Sequence, residues 1–133
     1  MSYFQFLALY ICIPIIVLLL INWWDRRSGR LLPEGLRTWS PAVVIAAHSL
    51  VALIYTTPWD NYLVATHVWW YDPKLVTGVV IGWVPIEEYT FFVLQPILTG
   101  LWLLVVARRL PAPTETIHSP AARRFRWIGL AVV

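Results

Sequence analysis

Glu87 and Glu88 are adjacent carboxylates inside a long apolar stretch of the sequence. Between Leu75 and Ala107 they are the only ionisable side chains apart from Tyr89. An acidic residue at the centre of a bilayer costs roughly 2.5 to 3.5 kcal/mol on insertion-based scales, so ionisable residues in spanning segments usually line a functional site. The pair is therefore the first candidate for chemistry in this chain.

The chemistry that this pair suits is proton transfer. Two neighbouring buried carboxyls do not ionise equally, and one protonated beside one ionised group is what general acid/base catalysis requires. On a helix, Glu88 shares a face with Phe91, Phe92 and Gln95, and the π faces of aromatic rings stabilise cations. The combination predicts carbocation chemistry on an apolar alkene.

Two other interpretations of the pair stay open on the residues alone. Pro85 precedes the glutamates, so they could cap the first turn of the helix that starts after it. The same carboxylates could also form part of a proton or ion pathway across the membrane.

Three further polar or aromatic residues are candidates for the same site. His48, in mid-span, is either a proton relay or, as we favour, the partner in an interhelical hydrogen bond. For Trp59 we favour the role of an anchor at the membrane interface over that of an aromatic wall that stabilises a cation. For Asp60 two roles are equally favoured: a second carboxylate over the substrate cavity, or the cap of a loop.

The composition indicates an integral membrane protein. Of the 133 residues, 59% are hydrophobic and only 13% are charged, against about 25% charged in soluble domains. Nine Trp and six Tyr fit aromatic belts at membrane interfaces. The basic residues lie beside the apolar spans, so topology explains them and no nucleic acid is predicted. Cys12 is the single cysteine and no Cys/His cluster occurs, so we predict no metal site.

The predicted fold is all-α with three transmembrane helices. The first span runs from about Tyr3 to Trp24, and the second begins at Pro41 and ends at about Thr57, because Pro58 follows. The loop 58–74 is rich in Trp and Tyr and is expected in the headgroup region.

The third apolar stretch is longer than the ~20 residues that one spanning helix needs. Because Pro85 would break it, we predict a short or re-entrant helical piece over 75–84 and the span proper over 86–107. Gly78 and Gly82 have the GxxxG spacing of helix–helix contacts.

The distribution of basic residues predicts the orientation. They cluster after the first and third spans, so the positive-inside rule places the Arg26–Arg37 loop and the C-terminal tail in the cytoplasm and the N-terminus outside a cell membrane crossed several times. Along the chain we expect a three-span unit over 1–110, a Pro/Arg-rich linker over 111–126, and at 127–133 the start of a fourth span or an interfacial foot.

Three stretches form a specific combined pattern, namely Pro58-Trp59-Asp60-Asn61-Tyr62, Trp69-Trp70-Tyr71, and Pro85-Ile86-Glu87-Glu88-Tyr89 followed by Phe91-Phe92-Val93-Leu94-Gln95. Over residues 1–110 the chain resembles the small-subunit lycopene cyclases of bacteria, archaea and fungi. The resemblance implies a redox-neutral ring closure at the ψ-end of an acyclic carotenoid, with Glu87 and Glu88 as the acid/base pair. The expected substrate-binding residues are Trp59, Asp60, Asn61, Tyr89, Phe91, Phe92, Gln95 and His48.

The resemblance also implies partners. The family works with two such units, as a heterodimer or a fused chain, so we expect a second homologous three-span unit, membrane lipids, and lycopene or a related acyclic carotenoid of forty or fifty carbons. No G-x-G-x-x-G fingerprint occurs, so no nucleotide-binding domain is predicted, although a loosely bound reduced cofactor stays open. The alternatives are a non-catalytic carotenoid- or lipid-binding protein and half of a proton pathway.

Overall fold

Three long helices dominate the computed structural model, which describes residues 1–110. Helix α1 is Tyr3–Arg27, α2 is Pro41–Ala65 and α3 is Ile86–Arg109, and each is long and apolar enough to cross a membrane. A short 3-10 turn, Glu34–Leu36, lies between α1 and α2. The predicted mostly helical class with three spans is confirmed. The linker and fourth-span predictions fall outside the described residues.

Helix α1 contains a local change of winding. It is α-helical over Tyr3–Leu7, π-helical over Ala8–Cys12 and α-helical again over Ile13–Arg27. Ser2 caps its first turn through a reciprocal capping box. Pro14 lacks the N–H that would continue the regular hydrogen-bond ladder, and the wider turn just before it accommodates that loss.

Helix α2 continues through Pro58 to Ala65, so the prediction that the second span ends at Thr57 is wrong. The Thr57 hydroxyl donates to the Leu53 carbonyl (2.6 Å), and Asn61 Nδ2 donates to the Thr57 carbonyl (2.9 Å). These bonds add side-chain contacts to the turns on either side of Pro58, and spanning helices tolerate a proline more readily than the sequence rule implies. The extra turns carry the Trp59–Tyr62 motif on a helix and not on a loop.

A short antiparallel hairpin precedes α3, with β1 at Val80–Ile81 and β2 at Val84–Pro85. The helical piece predicted over 75–84 is therefore wrong, and so is the GxxxG helix contact. Gly78 (φ 81°) and Gly82 (φ 69°) have left-handed backbone conformations, which a right-handed helix does not contain and which glycine adopts at little cost.

Asn61 fixes this hairpin to the helices. Its Oδ1 accepts from the Trp83 N–H (2.8 Å), and its Nδ2 donates to the Tyr89 hydroxyl (2.9 Å), which in turn donates to the Ile81 carbonyl (2.8 Å). One side chain thus joins the end of α2, the hairpin turn and the first turn of α3. The polar atoms of Asn61 and Tyr89 are engaged in holding the backbone.

Gly82→Ala is expected to destabilise the protein more than Gly78→Ala. Both changes put a side chain at a left-handed position, which costs about 1–2 kcal/mol. A methyl group at position 82 would also collide with the Asn61 amide, whereas nothing lies within 4 Å at position 78. Thermal unfolding in detergent, followed by circular dichroism, should show the larger loss for Gly82→Ala; equal losses would contradict the role of Asn61.

The helices pack along a narrow apolar contact. Leu18 on α1 meets Leu101 and Val105 on α3 in the buried cluster. On α3, a methyl group added to Gly100 would lie 2.6 Å from Ile45 Cγ1 of α2, so these two helices touch at the glycine. Large apolar side chains remain exposed on all three helices, as expected for surfaces that face lipid.

At the end of the bundle where α1 and α3 finish, arginine side chains bind polar residues of α1. Asp25, with no exposed surface, accepts hydrogen bonds from Arg30 (2.8 Å) and Arg109 (3.2 Å). Arg108 donates to Asn22, joining the end of α1 to the end of α3. Helices α1 and α3 run parallel, so their amino ends lie together at the opposite end of the bundle. Glu87 and Glu88 are at that end.

Candidate active site

Tyr3, Asp60, Tyr71 and Glu88 lie together at this amino end. Tyr3 is the first residue of α1, Asp60 lies near the end of α2, and Glu88 is in the first turn of α3. Tyr71 comes from the connection 66–85, which folds back over the helix ends. Four separate parts of the chain therefore build one polar group.

The Tyr3 hydroxyl donates a hydrogen bond to Glu88 Oε2, and both side chains are half-buried. The Tyr3 N–H also donates to the Leu75 carbonyl at 2.8 Å, which fixes the start of α1 against the connection. Sequence reasoning missed Tyr3, because an aromatic residue at a membrane interface is expected anyway. The Glu88 carboxyl is thus fixed by a hydrogen bond, and part of its surface remains exposed.

Asp60 pairs with the second tyrosine. It is 2% exposed, and its Oδ2 accepts from the Tyr71 hydroxyl at 3.0 Å. Burial raises the pKa of Tyr71, and the nearby charges of Glu88 and Asp60 raise it further. Tyr71 therefore stays a neutral phenol that donates to Asp60. Its only sequence signal was its place in the Trp69-Trp70-Tyr71 stretch.

Glu87 has different surroundings from Glu88. It is 1% exposed, and its Oε1 accepts from the Thr77 N–H of the connection at 2.6 Å. Among residues 1–110, its Oε2 has no hydrogen-bond partner. Both glutamates lie in the first turn of α3, where negative charge is favourable. Although the two glutamates are adjacent in sequence, their environments differ because successive residues of a helix point about 100° apart.

The aromatic residues after the glutamates pack into the bundle. Phe92 is 8% exposed and meets the Tyr89 ring edge-on, with centroids 5.9 Å apart. Phe91 is half-buried. Gln95 follows two turns after Glu88, and its buried Oε1 has no partner within the part of the chain that the structure describes.

Two predicted site residues are not brought to this group. Trp59 is 59% exposed and stacks on Tyr62, with ring centroids 6.0 Å apart, so it faces outward. His48 is exposed, and its Nδ1 bonds the Val44 carbonyl of its own helix at 2.8 Å. The interhelical hydrogen bond predicted for His48 is therefore wrong. It lines a groove beside Gly100, far along α2 from Asp60.

Comparison with known proteins shows clear relatives. The chain is 40% identical over 125 residues to the lycopene beta-cyclase of Halobacterium salinarum, a match over 92% of this chain and 46% of the relative. It is 41% identical over 77 residues to the bifunctional lycopene cyclase/phytoene synthase of Sporisorium reilianum, covering 57% of this chain and 11% of that enzyme. The corresponding enzyme of Aspergillus niger is 38% identical over 83 residues, 62% of this chain and 14% of the relative.

The chain spans about half the length of the archaeal relatives that it matches. No family model and no solved structure matches it. The resemblance drawn from the sequence is confirmed at the level of homology: this chain is a homologue of the lycopene beta-cyclases and of the fungal bifunctional lycopene cyclase/phytoene synthases.

Proposed function

We propose that this chain is one unit of a membrane carotenoid cyclase that closes a six-membered ring at the end of an acyclic carotenoid such as lycopene. The observation that carries the proposal is Glu88. It is a half-buried carboxyl in a spanning helix, held by the Tyr3 hydroxyl, in a homologue of lycopene cyclases. A positioned acid at this depth suits a substrate that lies within the membrane.

The proposed reaction begins with proton transfer to carbon. Protonated Glu88 adds its proton to the terminal alkene of the ψ-end, which forms a tertiary cation. The neighbouring double bond attacks this cation, closes the ring and moves the positive charge onto a ring carbon. Loss of a proton next to that carbon restores an alkene, and the choice of proton sets a β-, γ- or ε-ring. No electrons are gained or lost.

An alkene is a very weak base, so the acid must be aligned with the carbon that it protonates. Burial away from water strengthens the electrostatic influence of each group around the developing charge. Tyr3 fixes one oxygen of Glu88, and the half-buried Phe91 follows one helical turn later. Aromatic faces near such a site would stabilise the cation.

A second homologous unit belongs to this proposal. The archaeal relatives are about twice as long as the matched region, which supports a complete enzyme with two such units. We also propose that the arginine end of the bundle faces the cytoplasm, by the positive-inside rule. The Glu88 end would then lie toward the outer leaflet. The redox-neutral chemistry consumes no reductant.

Pigment conversion in cells tests the function. The full chain is expressed in a lycopene-accumulating bacterial host, alone and together with a homologous three-span unit from the same genome. Chromatography with mass spectrometry should show ring-containing isomers of unchanged mass in the paired strain. Unconverted pigment that co-purifies with the protein would instead indicate a carotenoid-binding protein. Proton flux in pigment-free liposomes, without conversion, would indicate a proton pathway.

A further inference from the structure

We infer that Tyr71, held by the buried carboxylate of Asp60, receives the proton that leaves the newly closed ring. Tyr71 is then a second catalytic residue, and Asp60 is a positioning residue that takes up the phenolic proton. This inference rests on the proposed function and assigns its second proton transfer to a pair other than Glu87 and Glu88.

The hydrogen bond between Tyr71 and Asp60 has the direction that this role requires. The Tyr71 hydroxyl donates to Asp60 Oδ2 at 3.0 Å, so its oxygen lone pairs remain available to accept. Tyr71 is half-buried, whereas Asp60 is 2% exposed. A carotenoid end group can therefore meet the tyrosine, but the carboxylate reaches the substrate only through it.

The proposed acceptor lies at the same end of the bundle as the proposed donor. Tyr71 is within electrostatic range of both Glu88 and Tyr3, and Tyr3 is within range of Asp60. The structure thus holds two carboxylate–tyrosine pairs, Glu88 with Tyr3 and Asp60 with Tyr71, at one end of the bundle. A donor pair and an acceptor pair are what the two proton transfers of ring closure need.

Glu87 is poorly placed for the acceptor role. Only 1% of its surface is exposed. Its Oε1 accepts a hydrogen bond from the Thr77 N–H at 2.6 Å, which links the connection 66–85 to the first turn of α3. Successive residues on a helix also point about 100° apart. A substrate in contact with Glu88 would therefore meet a different face of the helix from the one that carries Glu87.

The proposed transfer conserves atoms and electrons. A carbon–hydrogen bond next to the ring cation breaks, and its electron pair forms the ring alkene. The proton passes to the Tyr71 oxygen as the phenolic proton passes to the Asp60 carboxylate. Asp60 then loses its proton and Glu88 regains one by exchange with water, which restores both groups for the next cycle. No oxidant or reductant takes part.

Asp60→Asn tests the inference, because the amide keeps the size of the side chain and still accepts from Tyr71 but takes up no proton. Membranes holding the full chain and its second unit are given lycopene in deuterated buffer. We expect the variant to form cyclic product about 100-fold more slowly. The recovered acyclic lycopene should gain deuterium, since Glu88 still protonates the alkene and takes a proton back.

Three other variants complete the experiment. Tyr71→Phe should reproduce the labelled substrate, and it serves as the test if Asp60→Asn does not accumulate. Glu88→Gln should give neither product nor label. Asp72→Asn makes the same chemical change at an exposed loop residue whose side chain accepts from the Lys74 N–H, and it should match the wild-type rate.

Wild-type turnover in Asp60→Asn, or loss of product without label in both Asp60→Asn and Tyr71→Phe, would overturn the inference. So would labelled substrate in Glu87→Gln, because the acceptor would then be Glu87. Absence of cyclic product from the wild-type pair is a separate outcome, and it would overturn the proposed function itself.

Discussion

Glu88→Gln is expected to lower ring closure by about 1,000-fold or more, within the upper range for loss of a general acid. The amide keeps the shape of the side chain and still accepts from Tyr3, so the bundle should fold normally. It has no proton acidic enough to transfer to an alkene, and the first cation does not form. Cyclic carotenoid per mole of membrane protein, measured by chromatography, checks the prediction.

The matched control is Glu34→Gln, the same chemical change at an exposed residue of the 3-10 turn at the arginine end of the bundle. It should cyclise lycopene at the wild-type rate. If Glu88→Gln did so too, Glu88 would not be the acid. Unchanged cyclisation in both Glu87→Gln and Glu88→Gln would remove the basis for the cyclase assignment.

Tyr3→Phe is expected to reduce turnover by roughly 10- to 100-fold. The change deletes a single hydroxyl, whose hydrogen bond to a charged or acidic partner is worth about 1.5–3 kcal/mol, and each 1.4 kcal/mol is a factor of ten. Without it the Glu88 carboxyl would occupy several orientations, only some aligned with the alkene. The loss should appear in the rate at saturating lycopene.

Tyr10→Phe is the control for this change, because Tyr10 is an exposed residue of the same helix whose ring packs at a tilt against Phe6. It should leave turnover unaltered. Tyr3 is a positioning residue, so the apparent KM for lycopene should change little in Tyr3→Phe. A raised KM with normal maximal turnover would show instead that Tyr3 contacts the substrate.

Local sequence rules failed where side chains or backbone handedness decided the conformation. Pro58 predicts a helix end, yet Thr57 and Asn61 supply side-chain hydrogen bonds around the proline and α2 continues. The apolar run over 75–84 suits a helix by composition. Left-handed backbone at Gly78 and Gly82 turns it into a hairpin instead, and composition carries no signal for that handedness.

The sequence by itself determined three spanning helices and the Glu87–Glu88 pair as carboxylates within an apolar run, because apolar length and charged residues inside it are local properties that need no neighbours. Only the tertiary structure decided that Glu87 is buried, that Glu88 is half-buried, and which groups surround each of them. Tyr3 lies 85 positions from Glu88, and Tyr71 reaches Asp60 only because the connection folds back over the bundle. Helical spacing predicts neighbours three or four residues apart, so contacts between separate helices depend on how those helices pack.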